Sequence, residues 1–108
     1  MTPKEIFEQK LPEQLKAKGD EVTKVGAIYQ FNITGDNGGN WWVDTTKSGG
    51  EVGEGDNADA KCTITMADSD FIDMVDGKLN GQMAFMTGKL KIKGDMSLAM
   101  KLGNVLGL

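Results

Sequence analysis

Hydrophobic and polar positions alternate at two different periods along this chain, and the changes of period mark the elements. Ile6, Phe7, Leu11 and Leu15 repeat at helical spacing and define one apolar stripe. Thr2, Pro3 and Glu5 form a helix start: a capping Thr, a Pro at the first helical position and a capping-box Glu. Pro12 lacks an N–H and is expected to break or kink this helix at Leu11, and Gly19-Asp20 to end it. The period then falls to two. Ala27, Tyr29, Phe31 and Ile33 alternate with Ile28, Gln30, Asn32 and Thr34, the pattern of a half-buried strand. A turn over Gly35–Asn40 leads to a returning strand from Trp41 to Thr46. Neighbours on a strand face opposite sides, so Trp41 is assigned to the core and Trp42 lies flat on the other face.

The second half repeats the alternation with helices between. Glu51–Glu54 is short, acidic and Gly-rich, which predicts an edge strand. Cys62, Ile64 and Met66 point inward from the next strand, with Thr63 and Thr65 outward. A short helix follows, capped by Asp68 or Ser69 and stopped by Gly77, with Phe71, Ile72, Met74 and Val75 on its inner face. Asn80 caps another short helix over Gln82–Thr87. Lys89–Lys93 is a strand with Leu90 and Ile92 inward and three lysines outward, read as edge protection. The last helix starts at Met96 after an Asp95 cap. Ser97, Lys101 and Asn104 make one narrow polar stripe, and the rest is apolar. A helix packed on a single sheet needs less. This helix is therefore either held between two layers or presents an apolar flank to something outside the chain.

Charge and residue types then exclude most chemistry. The 108 residues fit one domain, 1–108, and carry a net charge of −4. That balance disfavours nucleic acid, which is bound through clustered cations. There is no histidine, which removes the usual general base, metal ligand and triad member. The lone Cys62 sits in an apolar alternation and reads as a small core residue. The aspartates at 68, 70, 73 and 76 do not fit a calcium loop, because Ile72 and Asp73 occupy the fifth and sixth places. No metal or cofactor is expected. Six of seven methionines lie between Met66 and Met100, which suits either an adaptable binding surface or a Met-rich core.

The runs Cys62-Thr63-Ile64-Thr65-Met66-Ala67-Asp68-Ser69-Asp70-Phe71, Gly77-Lys78-Leu79, and Ala84-Phe85-Met86 through Gly88-Lys89-Leu90-Lys91-Ile92 to Met96 and Leu98–Leu102 resemble the sterol carrier protein type 2 domain. The Tyr29-x-Phe31 and Trp41-x-Val43-Asp44 strands also fit, so the resemblance covers essentially the whole chain. It implies an α+β fold: a five-stranded, largely antiparallel sheet, helices covering one face, and an apolar tunnel between the layers. It further implies a non-catalytic monomer that holds fatty acids, fatty acyl-CoA, phospholipids or sterols, contacts membranes transiently, and moves lipids or presents them to a partner enzyme as an accessory domain. By position, the lipid-binding residues would be Phe71, Ile72, Val75, Met83, Phe85, Met86, Leu90, Ile92, Met100 and Val105, over a floor of Tyr29, Phe31 and Trp41. Gly103 weakens the last helix, whose end is expected to act as a lid. Some members carry a peroxisomal signal; Leu106-Gly107-Leu108 is not one, and a cytoplasmic location is expected.

Overall fold

The computed structural model describes residues 2–47 and 49–106, with the backbone alone described for 102–106. Five strands form one sheet in the order β3-β2-β1-β4-β5: β1 Ile28–Thr34, β2 Gly39–Asp44, β3 Glu51–Glu54, β4 Cys62–Ala67 and β5 Leu90–Gly94. Three of the pairings are antiparallel, and β1 and β4 run parallel, so the sheet is mixed. The helices are α1 Pro3–Glu5, α2 Leu11–Lys18, α3 Asp20–Val25, α4 Asp68–Val75, α5 Gly81–Met86 and α6 Met96–Leu106.

The chain enters through the expected capping box, with the Glu5 amide donating to Thr2 Oγ1 and the Thr2 amide to Glu5 Oε1. Pro12 does not break the helix. A π-helical turn, Ile6–Lys10, joins α1 to α2, and the Leu11 amide donates to the Ile6 carbonyl five residues back. The extra residue widens the turn just where the proline ring would otherwise press on the preceding carbonyls. Ile6, Phe7, Leu11 and Leu15 are all buried, so the stripe reaches the core intact. Gly19 ends α2 with φ at 51°, but the chain does not then go straight to the sheet. It forms α3, unexpected from sequence because its six residues offer one buried apolar position, Val22, and no period.

Alternation on the strands places the core. Ala27, Tyr29, Phe31 and Ile33 are buried, as are Trp41 and Val43, then Cys62, Ile64 and Met66. Register aligns these positions across the sheet: Phe31 opposes Trp41 on one side and Ile64 on the other, and Ile64 opposes Ile92. Trp42 takes the opposite face, where its indole lies over Gly53; any Cβ there would run into the ring. β3 and β5 are the two edges, which accounts for the acidic residues of one and the lysines of the other.

Helix α4 begins without a side-chain cap. Ala67 stands at the N-cap position, and Asp68 is the first helical residue, its carboxylate accepting from the amides of Ser69 and Asn37. It therefore ties the β1–β2 turn to the helix instead of capping it. Asn80 caps α5 and Asp95 caps α6 as expected.

Phe7 joins these parts. Its ring stacks on Trp41 at 4.8 Å and 9° and on Phe71 at 5.0 Å and 4°, and meets Phe31 tilted at 5.2 Å. It is fully buried. One side chain thus binds the N-terminal helix to β2, β1 and α4. Phe7→Ala should lower unfolding free energy by about 3–5 kcal/mol, measured by urea denaturation. A loss below about 1 kcal/mol would show that the stack does not organise the core.

Candidate functional site

The helical layer is divided. The π turn and α2 contact β3, while α5 and α6 contact β5. Over the β5 side lies a pocket of about 560 Å³, within the size range of small-molecule sites. Its floor is the cross-strand row Phe31, Ile64 and Ile92, with Leu90 beside it. One wall is α5, through Gly81, Gln82, Phe85 and Met86; the last three fall at i, i+3 and i+4 on one helical face. The other wall is α6, through Met96, Ala99 and Met100 at the same spacing. Met74 of α4 and Asn80 complete the lining.

Of the residues expected from sequence, Phe85, Met86, Leu90, Ile92 and Met100 come together around this pocket, with Phe31 of the floor. Phe71, Ile72, Val75 and Met83 do not line it. Phe71 is stacked on Phe7, and Ile72 and Val75 pack half-buried on the core. Met83 is turned about 100° from Gln82 around α5 and is exposed. Tyr29 and Trp41 are core residues off the pocket: Trp41 lies against Phe7 of the N-terminal helix, and Tyr29 reaches the backbone of α6. Val105 lies outside the described side chains, as does Asn104. Sequence reasoning missed Ile64, Met74, Gln82, Met96 and Ala99 as lining residues. Ile64 and Met74 were recognisably inward, but only strand register shows that Ile64 sits between Phe31 and Ile92.

Among the described residues, no ionisable side chain lines the pocket. Asn80 Oδ1 is engaged by the amides of Gln82 and Met83, which leaves Gln82 as the one side-chain amide without that duty. Such a lining is apolar, with neutral amides at its edge. The free Cys62 is buried on β4, where burial above all, and then Asp95, push its thiol pKa up. Alkylation of Cys62 at neutral pH should therefore follow unfolding; fast labelling of the folded protein would contradict this burial.

Helix α6 is fastened over the sheet at one point that the sequence did not reveal. The Tyr29 hydroxyl donates to the Leu98 carbonyl at 2.6 Å. Burial, then Cys62 and Asp95, hold this hydroxyl protonated far above the usual tyrosine range, so it remains a donor. At the start of the helix, Asp95 accepts from Ser97 Oγ and the amides of Ser97 and Leu98. These bonds hold its pKa below the usual value. Leu98 and Ala99 pack half-buried on the core, while Met96 and Met100 are exposed at the pocket's rim. Tyr29→Phe should weaken the docking of α6 by about 1 kcal/mol, so its amides exchange about fivefold faster. Exchange that quickens equally throughout the sheet would instead mean a global loss of stability.

The chain belongs to the SCP-2 sterol transfer family, whose model matches residues 7–107. Among curated relatives, sterol carrier protein 2 of Homo sapiens is 44% identical over 104 residues, covering 93% of this chain and 19% of its own length. Hydroxysteroid dehydrogenase-like protein 2 of Mus musculus is 49% identical over 85 residues, covering 77% of this chain and 17% of its own. The chain thus spans under a fifth of either relative. Among solved structures, palmitated SCP2L2 from Aedes aegypti superimposes with a TM-score of 0.82 at 26% identity, covering 100% of this chain and 96% of that one.

Proposed function

We propose that this chain is a lipid-binding and lipid-transfer domain that holds fatty acids, fatty acyl-CoA or sterols in the pocket between α5, α6 and β5, and catalyses no reaction of its own. The observation that carries this reading is a pocket of about 560 Å³ whose lining, among the described residues, includes no ionisable side chain. Family membership and the palmitate of the mosquito relative support it. The driving force is removal of methylenes from water, about 0.8 kcal/mol each, or roughly 12 kcal/mol gross for a sixteen-carbon chain. Ordering and lost freedom offset much of this, which leaves dissociation constants on the order of micromolar to nanomolar. Phe85, Met86, Leu90, Ile92 and Met100 make direct contact with the chain; Phe71, Ile72 and Val75 support the wall from behind. Methionine is flexible and polarisable, so a Met-rich wall accepts apolar chains of different shape.

A second reading is favoured by one observation. Both curated relatives are several times longer than the match, so this fold also occurs as part of larger proteins. In such a setting the domain would present a lipid to a neighbouring enzyme, and stimulation of that enzyme by added domain would mark it.

Delipidated protein titrated with a fluorescent fatty acid should saturate at micromolar concentration or below. Ile92→Asp sets a carboxylate on the pocket floor and should weaken binding at least about tenfold, with the fold retained by circular dichroism. No saturable signal from the unmodified protein, or equal affinity in the variant, counts against the assignment.

A further inference from the structure

Sulfur is spread unevenly through this fold. Among the described residues, the methionines fall into two groups. Met66 on β4 and Met74 on α4 are buried. Met83 and Met86 on α5, and Met96 and Met100 on α6, are exposed, at 56%, 73%, 44% and 72%. With Phe85 they make up the large hydrophobic side chains that the described residues leave exposed. Met86, Met96 and Met100 line the pocket, and Met83 does not.

A thioether needs no deprotonation to react with a peroxide, only access. Its sulfur lone pair attacks one peroxide oxygen. The S–O bond forms as the O–O bond breaks, the sulfide is oxidised to a sulfoxide, and hydrogen peroxide is reduced to water as a proton shifts between its oxygens. A polar side chain then stands where an apolar one stood. The one thiol, Cys62, is buried on β4 and does not intercept the peroxide first. Exposure therefore directs oxidation to α5 and α6. What a sulfoxide costs depends on where it sits. Met86 and Met100 stand largely in solvent, so a new oxygen there stays hydrated and leaves the fold intact. An apolar chain lying against the same side chains would strip that water and supply no donor in return. At Met66 and Met74 the oxygen would be trapped in the core instead.

We propose that Met86, Met96 and Met100 form an oxidation site at the mouth of the pocket, where peroxide converts their thioethers to sulfoxides and releases the apolar chain they hold. This rests on the lipid-binding reading above. The reverse step takes a sulfoxide reductase and a dithiol: the oxygen leaves as water and the dithiol becomes a disulfide. Rim sulfurs reachable from solvent are open to both directions. A bound chain shields the sulfurs it touches, whereas Met83, exposed on the same helix but off the pocket, stays unshielded and serves as an internal reference.

The test treats delipidated protein with hydrogen peroxide, locates sulfoxides by peptide mass spectrometry, and titrates a fluorescent fatty acid before and after. Oxidation at Met86, Met96 and Met100 should weaken binding at least about tenfold, with the circular dichroism unchanged. Bound fatty acid should slow oxidation at these three and leave the rate at Met83 as it was. In the triple variant Met86→Leu, Met96→Leu, Met100→Leu, the affinities before and after peroxide should agree, whatever their starting value. Met83→Leu should keep the full response. If the triple variant misfolds, the pattern of protection decides on its own. Four outcomes overturn the proposal: unchanged affinity with the three sulfurs oxidised, loss of fold on oxidation, an equal loss in the triple variant, or equal protection of Met83. Failure of the untreated protein to bind the fatty acid would instead remove the lipid-binding reading itself.

Discussion

The structure depends on the ring of Phe7 lying flat between two others. Stacked on Trp41 and Phe71, and tilted against Phe31, it fixes where the N-terminal helix can sit. That helix covers the part of the sheet around β2 and β3 and leaves the β4–β5 side to α5 and α6. These are short or broadly apolar helices, and the described side chains leave a pocket beneath them. The pocket is thus the region that a well-packed half of the molecule leaves over. A protein interior ordinarily closes to crystal-like density. Here closure fails on one side because the aromatic anchor has committed the long helix to the other.

What this arrangement does chemically follows from what lines it. A floor of Phe31, Ile64 and Ile92 and walls of Phe85, Met86, Met96 and Met100 present carbon and sulfur. Among the described residues no titrating group stands in this lining, so discrimination there rests on shape and length. The bond from Tyr29 to the Leu98 carbonyl adds one neutral hydrogen bond to the packing of Leu98 and Ala99 that seats α6 on the core.

Much of this was legible in the residues. Period-two alternation placed Tyr29, Phe31, Trp41, Ile64 and Leu90 in the core, and the caps at Thr2, Asn80 and Asp95 were readable because each has a side-chain acceptor at a fixed offset. The π turn was not, since it depends on how one proline is accommodated within a buried stripe. Helix α3 was not, since six residues with one buried apolar side chain carry no period. For the pocket, the wall residues of α5 and α6 were implied by the resemblance to the sterol carrier protein type 2 domain, and the residues themselves showed only that α6 is apolar beyond what one sheet needs. Phe71 stacks on Phe7 instead of lining the pocket, because inward-facing does not distinguish core from cavity, and the packing of Phe7 decides between them. Ile64 was overlooked as a lining residue because its position depends on register with two strands at once.

The parallel pairing of β1 with β4 has a consequence for assembly. Strands β1, β2 and β3 are successive and antiparallel, so they pair through short connections. Tyr29 meets Cys62 only after the chain between them has been looped out, and β5 can pair only with β4. Loop closure makes such long-range contacts costlier to form than the local ones. The two halves of the sheet are accordingly unequal in folding: the meander can form early, whereas the strands beneath the pocket join late and are released first in partial opening. Native-state hydrogen exchange would then find β4 and β5 less protected than β1 and β2. The half of the molecule that must admit a guest is also the half that the chain finishes last.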